Sequence, residues 1–255
     1  MNVQLTPGLD IAELVLWAFF LFFLGLIIYL RREDRREGYP LEDDLSGRVE
    51  SPGGMFAMAK PKTFNMPFGL PDVVAPDNRR DSMKLNARRT SVFAGSPIEP
   101  LGNPLTAGVG PGAYANRADR PDLNMEGHPR IVPLSASPDF YVAAKDPDIR
   151  GYAVVGEDRV VGGTVKDIWV DTADRLIRYI EVATGDGSVL MPMMMTKVQR
   201  RNRTVQVDSL MGHQIAGAPP TPAGGTITLK QEELAMAYVG AGYLYATARR
   251  QEPWL

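Results

Sequence analysis

Acidic side chains and a histidine are concentrated in one stretch, RADRPDLNMEGHP, which covers residues 117–129. It contains Asp119, Asp122, Glu126 and His128. Carboxyl and imidazole groups titrate between about pH 4 and 7, so a surface cluster of them can accept protons and pass them inward. The stretch therefore indicates either the entry of a proton relay or an ordinary solvated acidic surface.

A second group of charged residues follows the stretch DIWVD (167–171). Asp171 and Asp174 flank a predicted turn, Arg178 comes next, and Glu181 lies further along the chain. A guanidinium group near a carboxylate favours its ionised form. This group of residues therefore also indicates either a solvated acidic surface or part of a proton relay, in which Arg178 would hold Asp174 ionised and ready to accept a proton, with Asp171 beside it.

Several other kinds of chemistry are excluded or disfavoured. The 255 residues include no cysteine, which excludes disulfides, thiolate metal sites, thiol catalysis and c-type haem attachment. The usual motifs of nucleotide-binding and hydrolytic enzymes are missing. Two histidines far apart in the chain, His128 and His213, do not predict a metal site. The net charge of −2 gives no basic field for nucleic acid. A membrane-tethered enzyme is therefore a weak hypothesis.

An apolar segment near the N-terminus predicts a transmembrane helix. It begins at Ile11, and residues 14–30 contain no charged side chain. About 20 residues with a rise of ~1.5 Å each make a helix of about 30 Å, which is the thickness of a bilayer core. The alternative interpretation is a buried helix of a globular domain.

Four arginines follow this segment at once. The stretch MNVQLTPGLDIAE on its N-terminal side contains two acidic residues and no Lys or Arg. The positive-inside rule then predicts a periplasmic N-terminus and a cytoplasmic remainder. We also expect the four guanidinium groups to meet anionic lipid head groups, at about 1 kcal/mol each. They belong to Arg31, Arg32, Arg35 and Arg36.

The rest of the chain changes character near residue 130. Residues 37–130 are interrupted repeatedly by proline and glycine yet contain many apolar side chains, which favours an extended segment laid over a partner surface. From there on, short runs of β-branched and aromatic residues alternate with turns, which predicts a small antiparallel barrel or sandwich. A final helix is predicted from Thr228, its N-cap, with Gln231 completing a capping box and Glu232 in the first turn.

Six short motifs follow the single N-terminal span along the whole chain. The motifs are REGYPLE (36–42), PKTF (61–64), GNP (102–104), VGP (109–111), DIWVD (167–171) and YVGAGYLYA (238–246). REGYPLE, directly after the span, is the most specific one. In order and spacing, these motifs resemble the H subunit of the purple-bacterial photosynthetic reaction centre.

The resemblance implies an α+β membrane protein. Its expected parts are one N-terminal transmembrane helix, an extended surface segment and a cytoplasmic PRC-type antiparallel β-barrel with a C-terminal helix. The ranges are 1–10 for the periplasmic N-terminus, 11–30 for the transmembrane helix, 31–130 for the surface-bound segment and 131–255 for the cytoplasmic domain.

The resemblance also implies a function. Such a subunit caps the cytoplasmic face of the L and M subunits, stabilises the complex, shields the quinones and helps conduct protons to the secondary quinone. It binds no cofactor directly and is not an enzyme. Bacteriochlorophyll, bacteriopheophytin, quinones, non-haem iron and carotenoid are expected on L and M. Light-harvesting antenna subunits, a cytochrome subunit and membrane lipids are further candidate partners, in a bacterial inner, intracytoplasmic photosynthetic membrane.

Specific residues take roles from the same resemblance. A His-x-His triplet can mark the proton entry in the family, and the matching triplet here is Glu126-Gly127-His128. A carboxylate three residues past DIWVD is an inner relay group, which corresponds to Asp174, and Arg178 matches a neighbouring arginine. The full predicted proton-transfer set is Asp122, Glu126, His128, Asp171, Asp174, Arg178, Glu181 and Glu232.

A different hypothesis keeps the same fold. The chain would be a single-span membrane anchor whose PRC-type barrel scaffolds another complex, with no role in proton transfer. Purification of the native chain separates the two hypotheses, because bacteriochlorophyll and quinone absorption should accompany it only under the first.

The charge asymmetry across the apolar segment gives a topology prediction. Protease added to inside-out membrane vesicles should digest the large domain, since everything after Arg31 is predicted to face the cytoplasm. Immunoblots of the vesicles before and after digestion measure this. Right-side-out vesicles are the control and should protect the domain. Protection in inside-out vesicles would reverse the predicted orientation.

Overall fold

The computed structural model describes residues 4–6, 9–43, 45–49, 57–80, 83–93 and 95–251. The chain divides into two compact units, Met1–Ser82 and Met83–Leu255. Residues 83–130 therefore pack with the barrel residues, although their sequence character resembles that of the segment before them. The four ranges predicted from the sequence describe topology and remain a prediction. Residues 1–3 and 7–8 of the predicted periplasmic terminus lie outside the described residues.

The first unit is built on one long helix. α1 covers Ile11–Glu33 and begins at its N-cap Asp10, whose side chain accepts a hydrogen bond from the Ala12 amide at 3.2 Å. Among the residues that the structure describes, α1 is the one helix long and apolar enough to cross a membrane. It ends three residues beyond the predicted limit at Leu30, so its last turn includes Arg31 and Arg32.

Two short antiparallel ladders accompany α1 in this unit. β1 (Gln4–Thr6) pairs with β2 (Leu9–Asp10) ahead of the helix. β3 (Lys62–Phe64) pairs with β4 (Val73–Ala75) after it.

The second unit contains a seven-stranded sheet and a separate hairpin. The hairpin consists of β5 (Ala87–Arg89) and β6 (Ile98–Pro100). The strands of the sheet are β7 (Ile131–Pro133), β8 (Ala153–Val155), β9 (Val161–Asp171), β10 (Leu176–Thr184), β11 (Gly187–Pro192), β12 (Lys197–Gln199) and β13 (Thr204–Gln206). They have the order β11-β10-β9-β8-β13-β12, and β7 also pairs with β9.

The sheet is antiparallel, as predicted, except for one ladder. β13 runs parallel to β8 and pairs Thr204 with Ala153 and Gln206 with Val155. Side chains of the long strands enter two buried clusters, a large core and a smaller group around Trp169 and Tyr179, because successive residues of a strand point to opposite faces. Fully buried members of the large core include Val154, Val165, Ile168, Ile180, Val182, Met191, Val205 and Leu210.

The predicted C-terminal helix is present. α2 covers Leu229–Tyr245, and Thr228 is its N-cap. Thr228 Oγ1 accepts a hydrogen bond from the backbone amide of Gln231 at 3.2 Å, and Gln231 Oε1 accepts one from the backbone amide of Thr228 at 2.9 Å. This pair is the predicted capping box. The helix continues through Gly240, which leaves room for the turn at Gly110–Gly112 to pack closely against it.

The Gly240 contact gives a stability prediction. A Cβ atom at Gly240 would lie 2.7 Å from the carbonyl oxygen of Pro111. An alanine normally stabilises a helix by about 1 kcal/mol relative to glycine. Here we expect Gly240→Ala to lower the free energy of unfolding by about 1–3 kcal/mol, because the backbone of the turn must move. Denaturant unfolding of the purified chain in detergent, followed by circular dichroism, measures this.

The matched control is Gly185→Ala, at a position where an added Cβ meets no atom within 4 Å. We expect little change there. A stabilised Gly240→Ala variant would contradict the close packing of α2 on the turn.

Candidate functional site

The end of β9 brings distant parts of the second unit together. β7 runs antiparallel beside β9 and pairs Ile131 with Asp171. Arg130 precedes β7 and therefore lies opposite Thr172, whose amide donates to the Arg130 carbonyl oxygen at 2.8 Å. Thr172 Oγ1 donates to the same oxygen at 3.0 Å. The pairing fixes the Arg130 backbone next to the Asp171 carboxylate.

Asp171 is the centre of a charged cluster. Its side chain is 0 % exposed, and both carboxylate oxygens accept from Arg130 Nε at 2.9 Å. Arg178 Nε donates to Oδ2 at 3.1 Å, and the amides of Ala173 and Asp174 donate to Oδ1 at 3.0 and 2.9 Å. Burial raises the pKa of Asp171, but the hydrogen bonds from Arg130, the backbone and Arg178 outweigh it and hold the pKa below its ordinary value. Asp171 is therefore a fixed anion near neutral pH.

Asp174 lies at the outer side of this cluster. Its side chain is 49 % exposed, and its Oδ2 contacts both Arg130 Nη2 and Arg178 Nη2, the latter at 3.4 Å. The strand register passes from Ile177 to Tyr179 and skips Arg178, which marks a bulge in β10. Bulges redirect side chains, and this one turns Arg178 toward both aspartates. The contact expected between Arg178 and Asp174 is therefore present.

Arg130 was not found by sequence reasoning. It contacts three carboxylates, those of Asp171, Asp174 and Asp122, with Nη1 lying 3.5 Å from Asp122 Oδ2. The signal available in the sequence was an arginine placed between the acidic stretch and a strand. That signal becomes informative only when β7 is known to pair with β9.

The predicted entry residues lie on a small hairpin that starts from the cluster. The backbone amide of Arg130 donates to the carbonyl oxygen of Asp122 at 2.8 Å. The backbone amide of Asn124 donates to the carbonyl oxygen of His128 at 2.9 Å. Gly127 has φ +82°, which suits the tight turn. Glu126 is exposed at the tip, and so is His128. The hairpin thus connects solvent-exposed titratable groups to Asp122 and Arg130 at its base.

Glu232 reaches the same region from α2. Residues 118–121 run along the first turn of the helix, where the amides of Leu229 and Lys230 donate to the carbonyl oxygens of Arg120 and Ala118 at 3.0 and 3.2 Å. These contacts satisfy helix N-terminal donors that have no partner within the helix. Asp119 adds a contact from its Oδ1 to Thr228 Oγ1 at 2.9 Å.

The environment of Glu232 differs from that of Asp171. Tyr179 Oη donates to Glu232 Oε2 at 3.0 Å, and the carboxyl is partly buried. Burial raises the pKa of Glu232, and the hydrogen bond from Tyr179 together with the charges of Arg117 and Arg178 reverses this only in part. Glu232 therefore takes up a proton more easily than an ordinary glutamate.

Glu181 belongs to a different cluster. Its side chain is buried and accepts from Lys166 Nζ at 2.7 Å, Ser188 Oγ at 2.8 Å and Trp169 Nε1 at 3.3 Å. Burial raises the pKa of Glu181, but these hydrogen bonds outweigh it and hold the pKa below its ordinary value. It lines an open cavity of about 410 Å³ together with Asp167. Among the described residues, no group of three or more His, Cys, Asp or Glu side chains could hold a metal ion.

Arg36, one of the four arginines after α1, is engaged inside the first unit. Its side chain is 11 % exposed, with Nε donating to Glu33 Oε2 at 2.7 Å. Its Nη1 donates to the carbonyl oxygens of Lys60 and Ala75 at 2.8 Å each. These contacts attach the β3–β4 hairpin to the end of α1. They favour a structural role for Arg36 over contact with lipid.

The other three arginines differ from Arg36. Arg31 Nη1 donates to Asp34 Oδ2 at 3.0 Å and is well exposed. The Arg35 guanidinium lies 5.3 Å from the centre of the Tyr39 ring. Arg32 is partly exposed beside an open cavity of about 340 Å³ that Lys60 and Lys62 also line. Contact of these arginines with lipid head groups remains a prediction.

Comparison with known families identifies the chain. The photosynthetic reaction centre H-chain N-terminal region matches residues 3–136, which is just over half of the 255 residues. The chain belongs to the photosynthetic reaction-centre H-chain family. A PRC-barrel domain matches residues 143–214. The family resemblance and the predicted fold class are both confirmed. The chain is thus a membrane-anchored subunit of the photosynthetic reaction centre that associates with the L and M subunits.

The two matched regions divide the charged cluster between them. Asp122 and Arg130 lie in the H-chain region, whereas Asp171, Asp174 and Arg178 lie in the PRC barrel. Glu232 lies in the part of the chain beyond both regions. The ion pairs of the cluster in this H chain are therefore complete only when the H-chain region and the PRC barrel pack together.

The buried charge gives a prediction for the stability of this H chain. Asp171→Asn should lower the free energy of unfolding at pH 7 by about 3–5 kcal/mol, because it leaves two arginines facing a neutral side chain. Asp174→Asn should cost about 1 kcal/mol or less, because its ion pairs are half-exposed. Denaturant unfolding of the purified chain in detergent measures both.

The pH dependence of the Asp171 effect has a defined sign. The folded pKa lies below the ordinary 3.8, so the stabilisation is fully present above that value and is lost as the pH falls through the folded pKa. The difference between wild type and Asp171→Asn should therefore stay constant from about pH 6 to 9. Equal losses of unfolding free energy in Asp171→Asn and Asp174→Asn would contradict the central place of Asp171 in the cluster.

Proposed function

We propose that this subunit caps the cytoplasmic face of L and M, shields the quinones from water and helps conduct protons to the secondary quinone during light-driven electron transfer. It acts as an accessory subunit and not as an enzyme. In this proposal the pigments, quinones, non-haem iron and carotenoid lie on L and M, and this chain binds none of them directly. The membrane is the bacterial inner membrane, with the second unit on its cytoplasmic side.

The observation that carries the proton-conducting role is the partly buried carboxyl of Glu232, which is hydrogen-bonded to Tyr179 and feels the charges of Arg178 and Asp122 of the arginine–aspartate cluster. Bringing an uncompensated charge into a low-dielectric interior is very costly, so reduction of a buried quinone needs protons from solvent. A carboxyl that binds a proton readily can accept and release protons without large rearrangement. Glu232 has this property.

The geometry supports different roles for the members of the predicted set. Glu126 and His128 are exposed and suit the entry, with Asp122 at the base of their hairpin. Glu232 suits the inner transfer, and Asp174 keeps the inner role that the family resemblance gives it. Arg178 contacts both aspartates and helps to hold Asp171 ionised.

Two members of the set fit a transfer role less well. Asp171, whose pKa is lowered, suits the positioning of Arg130 and Arg178 better than carrying a proton. Glu181 is held ionised in its own cluster with Lys166, so we assign it to the stability of the barrel.

A barrel that scaffolds another complex is the alternative function. The match of residues 3–136 to the H-chain region favours the reaction centre, because a scaffold of another kind would need only the barrel and an anchor. Copurification of bacteriochlorophyll and quinone absorption with the native chain tests this choice directly.

Flash-induced kinetics of the intact complex test the proton role. We expect Asp174→Asn to slow the proton-coupled second electron transfer by about tenfold, because it removes a titratable group on the inner path. Glu126→Gln should change that rate by about twofold or less, because several entry groups are available. The first electron transfer between the quinones should change less in both variants. If Asp174→Asn kept the wild-type rate of the second electron transfer across about pH 6 to 9, Asp174 would not belong to the proton path.

A further inference from the structure

Tyr179 holds its hydroxyl group in a fixed place beside the charged cluster. The residue lies in the middle of β10 and is 3 % exposed. Its ring belongs to a compact apolar group with Ile131, Trp169, Leu190 and Ile227. The hydroxyl emerges from this group and donates to Glu232 Oε2 at 3.0 Å. A rigid ring thus presents a neutral donor to a carboxyl on another element.

We propose that Tyr179 is a positioning residue whose hydroxyl orients the Glu232 carboxyl and stabilises its ionised form. The relevance of this pair to proton delivery rests on the function proposed above. Tyr179 itself exchanges no proton in this scheme, because burial and the neighbouring Glu232 carboxylate raise its pKa far above the ordinary value. Its contribution is a hydrogen bond to the charged form of its neighbour.

The other charged groups near Glu232 are engaged elsewhere. From β10, Arg178 contacts Asp171 and Asp174. From the segment before β7, Arg117 Nη1 lies 3.5 Å from Oε1 of Glu233, the next residue of α2. Both arginines still favour the ionised carboxylate from a distance, whereas Asp122 opposes it.

Among the contacts of the described residues, the hydroxyl of Tyr179 is therefore the side-chain group that donates a hydrogen bond to Glu232. Its removal leaves burial as the dominant influence, and burial favours the protonated form. Without this donor the pKa of Glu232 rises further. Glu232 then takes up its proton at a higher pH and releases it less readily to the next group.

Infrared spectroscopy of the intact reaction-centre complex tests the pair. The carbonyl band of a protonated carboxyl is followed during a pH titration, and its loss in Glu232→Gln assigns it to Glu232. We expect Tyr179→Phe, which removes one oxygen and keeps the ring, to raise the midpoint of this band by about one pH unit. Fluorotyrosine at position 179 is a stronger donor and should lower the midpoint.

The matched control is Tyr243→Phe. Tyr243 lies on the same helix as Glu232, and its hydroxyl contacts Asp208 Oδ1 at 3.3 Å at an exposed site. This variant should leave the Glu232 band unmoved. An unchanged midpoint in Tyr179→Phe, or a fluorotyrosine shift in the same direction as Tyr179→Phe, would overturn the proposal.

Flash kinetics of the same samples separate this proposal from the proposed function. If the band shifts and the pH profile of the second electron transfer shifts with it, both stand. If the band shifts while the rate keeps its wild-type profile, the pair stands and Glu232 lies outside the proton path.

Discussion

The carboxylate of Asp171 is buried, and its charge must be balanced where it lies. An uncompensated ion in such a place costs several kcal/mol, whereas two guanidinium groups and two backbone amides make it acceptable. Each of those partners comes from a different piece of local structure. Arg130 depends on the β7–β9 pairing, Arg178 depends on the bulge in β10, and the amides depend on the turn after β9. The geometry of the whole cluster follows from this one requirement.

Glu232, which feels the charges of Arg178 and Asp122 in this cluster, has the opposite behaviour. Asp171 has its pKa lowered because charged donors surround it, whereas Glu232 has its pKa raised because it is buried with a neutral donor. Environments that separate the pKa values of neighbouring acids allow one to remain charged while the other exchanges protons. Because burial outweighs the hydrogen bond from Tyr179 and the more distant charges of Arg117 and Arg178, Glu232 retains its affinity for a proton.

Local patterns in the sequence predicted much of this fold. The uncharged apolar run predicted α1, the Thr228 and Gln231 pair predicted the start of α2, and β-branched runs predicted the long strands. The proximity of Asp174 and Arg178 could also be predicted, because they are only four residues apart, on the turn after β9 and at the start of β10. What could not be predicted depends on pairing between distant segments. The parallel β8–β13 ladder is of this kind, because a strand's own residues do not specify its neighbour.

Arg130 and Tyr179 escaped prediction for the same reason. Arg130 is informative only once β7 lies against β9, and the role of Tyr179 requires the first turns of α2 to lie beside its hydroxyl. An apolar residue would fit the alternating pattern at position 179 equally well. The sequence pattern therefore did not indicate that the hydroxyl of Tyr179 makes a polar contact. Binary patterns identify which side chains are buried, but they do not identify which buried polar groups meet.

The division of the cluster between regions has a physical consequence. Asp171 is supplied by the PRC barrel, and its principal cation, Arg130, is supplied by the H-chain region. If residues 117–130 left the barrel, Asp171 would keep only Arg178 and the backbone amides as partners, and the charges of both Arg117 and Asp122 near Glu232 would be lost. Attachment of this segment and the proton affinity of Glu232 are therefore linked through shared charges. The arrangement that stabilises the second unit is the same one that sets the chemistry of its carboxyl groups.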